Sequence, residues 1–495
     1  MRARDIVEGR NCAAGRRRWC RGGRRLCYTL SLILGLAHSA LGAPADFPDY
    51  TVLSLEELMD LPITSVAKKV QKWSDAAAAV FVMTREDIQR SGVTSLPEAL
   101  RLAPGVDVAR LDANKWAIAI RGLNRLFTDK LLVLMDGRSV YTPLFAGVYW
   151  DVQDPLLEDI ERIEVIRGPG AALWGANAVN GVINIITKHA KETQGGLVTA
   201  GAGTEEWAFG SVRYGVQLGT AAYVRAYAKS THRDDLQDEA GTAMPNGWHM
   251  HRGGVRLDWQ PSAPHAWMVQ GDLYGGALHE QRLVSLLHSP FQQRQDNPTD
   301  LFGGHALLRW HYTFADASLS TVQLSYDRTE RQSVFIAERR DTVDLDAQYQ
   351  YTLGDRPALV MGLGYRWTQD DTRGSSPIAF VPDARSTQLW SACVQDDIAL
   401  VPARLRLTLG ARFEHHDATG WEVQPNARLL WTPQTQHYGV GRAITCRTRS
   451  GACGRRLSAA HRHHTAWGVW QSRAAAAGLH YCRQSGHTFR IGARV

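Results

Sequence analysis

The 495-residue chain contains no run of about 18 apolar residues, so no helix in it can cross a bilayer alone. That exclusion leaves water-soluble folds and β-barrels, the two ways of satisfying backbone polar groups that remain. Cysteine is scarce and oddly placed. Of seven, Cys12, Cys20 and Cys27 lie near the start and Cys446, Cys453 and Cys482 near the end, with only Cys393 between them. The body therefore has no internal disulfide and no cysteine-rich metal site, and Cys393 reads as a small residue on a strand. Acidic residues and lysine are absent from 439–495, which hold ten arginines, while 1–27 hold nine arginines against two acids. The two ends carry +10 and +7 of a total of +7, which leaves −10 for residues 28–438. An acidic body excludes reading the overall positive charge as a nucleic-acid footprint.

Catalytic signatures are missing as well. No Ser/His/Asp constellation can be assembled, so the chain reads as a non-enzyme without a cofactor. Gly168-Pro169-Gly170-Ala171-Ala172-Leu173 follows a strand but lacks the third glycine of a dinucleotide fingerprint, and no Gly-Lys-Ser/Thr follows it. It reads as a tight turn. His249 and His251 would share one strand face, but two imidazoles without a third ligand make no metal site.

What is present falls into five parts. Residues 1–45 read as an export signal: basic Arg16–Arg25, apolar Tyr28–Ala37, then Ala43-Pro44-Ala45 as a cleavage site before Asp46. This is long for such a signal, and about ten to fifteen of its first residues read as an over-extended start. Residues 46–74 form a linker. Residues 75–188 are mixed α/β. Val80–Met83 reads as a strand, and Thr84 with Asp87 reads as a capping box opening a helix. Ser95–Leu102 reads as a second short helix. Lys130–Met135, Ile160–Ile166 and Gly181–Thr187 read as strands, with Asp136-Gly137 as a turn.

From 189 to 438 the period changes to two. Along Leu405–Phe413, Leu405, Leu407, Leu409, Ala411 and Phe413 share one face, and Arg406, Thr408, Gly410 and Arg412 the other. Leu359–Trp367 and Ala222–Lys229 alternate likewise. β-Sandwiches also alternate. Long segments, aromatic ends such as Trp310, Tyr312, Tyr326 and Trp431, and long polar loops (279–302, 369–385) between short turns such as 354–357 favour a membrane barrel. About twelve such segments lie between 195 and 432.

The order of motifs in 75–188 resembles the plug of TonB-dependent outer-membrane receptors. They run from Val80–Gln89 through Leu96-Pro97-Glu98-Ala99-Leu100, Pro104-Gly105-Val106, Ile120-Arg121-Gly122 and Val133–Val140. Ile160–Pro169 and Leu173–Lys188 complete the series. The barrel part is similar more loosely, best at Gln395-Asp396-Asp397, Leu405–Phe413 and 424–428. The resemblance implies an α+β plug followed by a transmembrane antiparallel barrel in the outer membrane of a Gram-negative bacterium. Such barrels have about 22 strands, so about 12 make this one incomplete. It implies energised uptake of a scarce large nutrient, an iron-siderophore or cobalamin, with TonB pulling a short peptide ahead of the plug. No catalytic residue is implied. Arg121 and Arg167 would latch the plug to glutamates of the wall. Asp112, Asn114, Lys115 and Trp116 would contact ligand. Ile63-Thr64-Ser65-Val66-Ala67 is the candidate TonB-contact segment, added as a strand to the partner's sheet edge. It departs from the family's acidic-Thr-Val-Val pattern and equally fits the plug's own first strand.

Residues 439–495 lack alternation and are rich in Arg, Ala, Gly, His and Cys, the composition of G+C-rich DNA read out of frame. Shifting the frame by one base at 440–448 permits Trp-Gly-Ala-Arg-Ser-Arg-Ala-Val-Arg, which resembles the family's next strand. The alternative to a working receptor is therefore a truncated, non-transporting remnant produced by a frameshift. An open sheet edge in lipid would leave each unpaired backbone group at a cost of several kcal/mol.

Overall fold

The computed structural model describes Pro62–Ile63, Gln71–Lys72 and residues 76–432, apart from gaps at 77, 123, 126–129, 176, 287, 354–355, 376–377 and 403. The signal (1–45), most of the linker and the tail (439–495) lie outside the described residues.

The first region begins with β1 (Pro62–Ile63) paired to β2 (Gln71–Lys72). Strand β3 (Ala79–Thr84) runs into helix α1 (Arg85–Ser91). The expected capping box closes there. The Asp87 N–H donates to Thr84 Oγ1 at 3.3 Å, and the Thr84 N–H donates to Asp87 Oδ2 at 2.9 Å. Gly92 ends the helix at φ 70°, the left-handed conformation that glycine reaches without strain. The second helix is shorter than the sequence suggests: α2 (Leu96–Ala99) carries Pro97 in its first turn and tightens into a 3₁₀ turn at Leu100–Leu102.

Next come the hairpin β4 (Val106–Arg110) and β5 (Trp116–Ile120), then β6 (Leu131–Met135), β7 (Arg138–Ser139), β8 (Tyr141–Thr142), β9 (Gly147–Val148) and β10 (Ile160–Arg167). Helix α3 (Ala171–Trp174) leads to β11 (Gly181–Thr187). The main sheet has the order β3-β10-β11-β6-β7, with β11 parallel to β6. Apolar layers cover both its faces, so β6 reads as a continuous hydrophobic run and β11 as one broken by Asn184, and neither alternates. Met83, Ile118, Ile120, Ile160, Ile163, Ile183 and Ile185 are fully buried.

The second region is one sheet. Its strands are β12 (Gly195–Gly201), β13 (Ala208–Leu218), β14 (Ala222–Arg233), β15 (Trp248–Ser262) and β16 (His265–Leu278). The expected polar loop 279–302 instead holds its own hairpin, β17 (Gln281–Ser285) with β18 (Gln292–Asp296), and the sheet resumes at Thr299. It continues with β19 (Thr299–Thr313), β20 (Leu319–Ser333), β21 (Ile336–Leu353), β22 (Arg356–Gly374), β23 (Ala384–Val401), β24 (Leu405–His416) and β25 (Gly420–Trp431). Strands β22 and β23 also eat into the loop expected at 369–385. Twelve strands lie in sequence order, each antiparallel to the next, with β12 and β25 at the edges. The sheet is not closed among the described residues.

Its two faces are opposite in chemistry. One cross-strand row reads Ala222, Trp259, Trp267, Trp310, Val322, Ala347, Leu363, Ala392, Phe413, Val423. The next row, one residue along each strand, reads Tyr223, Asp258, Met268, Arg309, Gln323, Asp346, Gly364, Ser391, Glu414, Glu422. The apolar face points outward: Leu273 is 64 % and Leu363 66 % exposed. Aromatic rings gather at both ends of this belt. Trp267–Trp310, Tyr312–Phe314 and Phe314–Tyr349 meet at 5.7, 4.7 and 5.8 Å at one end, and Tyr365–Trp390 meet at 4.3 Å toward the other. An apolar band between aromatic girdles, with a polar interior, is the pattern of a lipid-facing barrel wall.

Candidate functional site: the joint between plug and wall

The α/β region sits against the polar face of the sheet, and charged groups carry most of the joint. The tip of β6 is its most bonded point. Asp136 sits at φ 49° ahead of Gly137 at φ 78°, so the chain turns sharply and aims the carboxylate back at the sheet end. Asp136 Oδ1 accepts the Thr187 N–H at 2.9 Å. Its Oδ2 accepts the Thr187 hydroxyl at 2.9 Å and Gln270 Nε2 of β16 at 3.0 Å. The Asp136 carbonyl accepts from Arg309 of β19. Burial alone would raise this carboxyl's pKa, but Arg256, the Thr187 N–H and Arg309 outweigh it and hold it below the usual carboxylate value.

Around this point the plug is bonded strand by strand to β13–β16. Asp159 faces Arg213, and Arg225 Nε at 3.4 Å. Asp154 meets Lys229 Nζ at 2.6 Å, and the Val152 carbonyl accepts from Arg252. Arg256 Nη1 donates to Thr187 Oγ1 at 2.7 Å, while Asp258 Oδ2 accepts the Ala190 N–H at 2.7 Å. Further along the wall, Arg331 of β20 meets Asp151 at 2.6 Å and covers the Tyr149 ring at 4.0 Å. The Tyr149 hydroxyl donates to Glu338 at 2.7 Å. Arg138 pairs with Asp327, and Arg340 donates to Thr142. Arg412 Nη1 of β24 donates to the Leu173 carbonyl at 3.1 Å. There α3 comes so close that a Cβ on Gly175 would lie 2.7 Å from Glu414 Oε1.

None of these acids was singled out from sequence except Asp136, and that one only as a turn. The available signal was the cluster Asp151, Asp154 and Asp159, opposite arginines and a lysine on one face of β13–β15.

Between the plug and the wall from β15 to β25 lies a cavity of about 1300 Å³. Its lining mixes hydroxyls and amides, such as Ser139 and Tyr141 on the plug and Gln323, Gln348 and Ser391 on the wall, with charged groups such as Arg138, Arg252, Asp272 and Arg309. Its charges are largely spent on one another, as in Arg366 with Asp344 and Arg412 with Glu414 at 2.9 Å.

The sequence candidates are placed as follows. Lys115 Nζ bridges Asp112 at 2.9 Å and Glu280 at 2.6 Å. Asn114 is fully buried, and its Nδ2 donates to the carbonyls of Asn246 at 2.7 Å and His279 at 3.0 Å. Trp116 is buried too: Nε1 donates to Glu98 at 2.7 Å, and its ring meets Trp248 and lies 5.6 Å from Arg233. In this arrangement Asn114 and Trp116 serve the joint, while Asp112 and Lys115 keep some exposure. Arg121, at φ 66°, donates to the Arg167 carbonyl at 3.0 Å, and Arg167 Nη1 donates to the Pro104 carbonyl at 3.0 Å. Among the described residues neither guanidinium meets a carboxylate, and Arg167 Nε and Nη2 are buried without a partner. Burial and the neighbouring Arg121 push the Arg167 pKa down. Ile63 pairs with Gln71 and is fully buried in a small cluster with Val80, Leu132, Ile166 and Val182. Thr64, Ser65, Val66 and Ala67 lie outside the described residues. His249 and His251 are exposed on the outer face beside His232. No group of three or more His, Cys, Asp or Glu able to hold a metal occurs among the described residues.

A plug seated on the polar inner face of an outward-apolar β-wall defines a plugged membrane barrel. Comparisons name the family. The model for the TonB-dependent receptor plug domain matches residues 72–182, and that for the TonB-dependent receptor-like β-barrel matches 195–445. The chain belongs to the TonB-dependent receptors, a family of receptors and transporters and not of enzymes. It is 26 % identical over 421 residues to an iron-regulated outer membrane virulence protein of Vibrio cholerae, covering 81 % of this chain and 61 % of that one. A ferric enterobactin receptor of Pseudomonas aeruginosa is 26 % identical over 472 residues, covering 78 % and 61 %. The vitamin B12 transporter BtuB of Vibrio cholerae is 36 % identical over 149 residues, 30 % of this chain and 24 % of that one. The fold is shared with the siderophore receptors PirA of Pseudomonas aeruginosa and of Acinetobacter baumannii. Their TM-scores are 0.53 and 0.57 at 22 % and 18 % identity, over 71 % and 72 % of this chain and 58 % and 59 % of theirs. The chain spans about three-fifths of the length of the relatives that it matches most extensively.

Proposed function

We propose that this chain is an outer-membrane receptor for energised uptake of a large scarce nutrient, coupled to TonB. The observation that carries the reading is the charged joint between a complete plug and a lipid-facing wall, a seal that must hold and then yield. An iron chelate is favoured over cobalamin as ligand. The similarity to the vitamin B12 transporter covers 149 residues, whereas that to the ferric enterobactin receptor runs over 472 and includes the wall. Asp112 and Lys115 are the plug residues best placed to meet ligand. Arg121 and Arg167 form the latch: two buried donors of Arg167 lack an acceptor, and such a group is costly until a carboxylate pairs with it. Ile63–Ala67 is the segment offered to TonB; the burial of Ile63 implies that it must first peel from the plug. The test is fractionation with heat-modifiable mobility, then titration with ferric enterobactin and with cyanocobalamin. Recovery in the outer-membrane fraction with saturable binding of the iron chelate supports the reading; a chain absent from that fraction ends it.

The second reading is a non-transporting remnant, favoured by the composition of 439–495 and by a sheet that is not closed among the described residues. Resequencing codons 430–450 decides between them. A stray base that vanishes restores the receptor, and one that persists leaves a broken gene.

A further inference from the structure

We propose that the outer face of β13–β16 and β19 holds a phosphorylated glycolipid from the outer leaflet of the surrounding membrane. An acyl chain lies in a groove of the wall, and the headgroup meets a row of histidines above it. The proposal rests on the outer-membrane placement above and not on the nutrient.

The groove is a cavity of about 730 Å³ on the face that the wall turns to lipid. Its floor is Ala228, Ser230, Gly253 and Gly275, small residues on β14, β15 and β16. Val212 stands on one side, Leu273 and Phe302 on the other, and all three are exposed. Packing within the wall does not demand glycine on this floor. A Cβ on Gly253 would meet nothing nearer than the Tyr227 carbonyl at 3.5 Å, and one on Gly275 nothing nearer than the Leu301 carbonyl at 3.8 Å. Gly276, paired with the inward Met250, differs: a Cβ there would lie 2.2 Å from the His249 carbonyl. The space over Gly253 and Gly275 is therefore open to a group from outside, and outside a lipid-facing wall that group is an acyl chain. Lipid tails are as apolar as leucine, so the groove gains by close packing, and selection falls to the headgroup.

His251 borders the groove, and the next cross-strand row reads Ala208, His232, His249, Ala277, Asp300. His232 stacks on His249 at 6.4 Å, and His249 lies 6.0 Å from His251. Exposed Trp207 meets His232 at 5.4 Å, which sets this row at headgroup depth. The longer connections 202–207, 234–247 and 279–298 leave this end of the strands, and the short turns 219–221 and 263–264 leave the other. That asymmetry makes this the extracellular end. Imidazole N–H groups donate to phosphate oxygens, whereas the Asp300 carboxylate repels phosphate and accepts from hydroxyls. From His232 to Asp300 the row crosses three strand spacings, about 14 Å. A headgroup of linked sugars bearing phosphate spans that distance and offers both partners; a single phosphodiester is too short.

The test uses the full chain purified from outer membranes in mild detergent. Diphosphoryl lipid A and phosphatidylglycerol are the probes, and native mass spectrometry counts what stays bound. The unaltered chain is expected to retain lipid A and to exchange it poorly for phosphatidylglycerol. Gly253→Leu with Gly275→Leu fills the groove and should cut retention about tenfold or more through lost packing. Gly196→Leu adds the same side chain to the outer face beside Tyr214, outside the groove, and should change nothing. His232→Ala, His249→Ala and His251→Ala together should weaken diphosphoryl lipid A and leave its dephosphorylated form unaffected, a split that general damage to the wall would not produce. Unchanged retention in either the groove or the histidine variant, or equal retention of phosphatidylglycerol, overturns the site. If the groove variant loses its heat-modifiable mobility, the histidine split alone decides. A chain that never reaches the outer membrane overturns the placement itself, and the site falls with it.

Discussion

The plug and the wall are built from the same residue types turned inside out. In the plug, Ile163, Ile183 and Ile185 are sealed from solvent. In the wall, Leu273 and Leu363 are mostly exposed while Arg252, Arg256 and Asp258 are buried. The difference teaches that hydrophobic placement follows the surrounding medium. The plug is surrounded by water and polar wall, so it hides its apolar groups. The wall faces lipid, which is as apolar as leucine, and keeps its charges for the plug. At their meeting surface each region therefore presents charge, and the joint is ionic.

The largest expected effect comes from removing the centre of that joint. Asp136→Ala leaves Gln270 Nε2 and the Thr187 N–H without that acceptor and takes a negative charge from beside Arg256 and Arg309, although Arg256 keeps its pair with Asp258 at 2.8 Å. Breaking one side of a buried charged network costs about 3–5 kcal/mol. The expected outcome is a plug that digests faster under mild proteolysis while the wall survives. Equal digestion of the two regions would erase the distinction drawn between them.

Next is the plug core. Ile185→Ala empties space on a strand covered on both faces, at a cost of about 2–5 kcal/mol. Leu363→Ala removes a similar side chain from the lipid face and should cost far less in bilayers or detergent. Chemical denaturation of both variants checks the contrast; equal losses would mean that Leu363 is packed against protein.

Charge sharpens the contrast from the other side. Leu363→Arg, on the outer face between the aromatic girdles, should cost about 2–4 kcal/mol and fall nearer zero toward either rim. Leu102→Arg, on the plug's exposed surface, should stay within about 0.5 kcal/mol. Insertion efficiency into vesicles reads the first, and thermal unfolding the second. A wall that tolerates arginine at position 363 is not facing lipid.

The sequence showed these regions unequally, and for physical reasons. Gly181–Thr187 is the strand that was expected, residue for residue, because glycine opens it and the run behind it is apolar but for Asn184 up to the closing Thr187. The Thr84–Asp87 box was legible because capping is local. About twelve alternating segments became twelve strands, since period two survives whatever lies beyond each face. Loop boundaries were not legible. Polar residues extend β22 to Gly374 and begin β19 at Thr299, because the lumen and the water outside both favour polar side chains. The joint was nearly invisible. Asp159 and Arg213 are far apart in sequence, and nothing local marks either as a partner. Asn114 and Trp116 were expected to contact ligand but are pinned in the joint, Asn114 by backbone carbonyls that carry no sequence signature.

The smallest expected effect concerns that pinned loop. Burial alone would raise the pKa of Glu280, but the Lys115 ammonium at 2.6 Å, its hydrogen bond, Arg282 and Asn297 outweigh burial and hold it below its ordinary 4.5. A carboxyl whose folded-state pKa is depressed contributes stability in full above the unfolded value, and loses it as pH falls through the folded one. The Lys115–Glu280 clamp should therefore be constant at neutral pH and slacken only below 4.5. Because Lys115 keeps partial exposure, the contribution should be no more than about 1 kcal/mol. Lys115→Met removes one of the two cations at Glu280 while Arg282 and Asn297 remain, so the acid-induced fall in the thermal midpoint should shrink without vanishing. Near-UV circular dichroism followed from neutral pH to about pH 3 measures that slope. If the substituted chain fell as steeply as the original, Glu280 would be held by the wall's own residues, and the loop would belong to the wall and not to the joint.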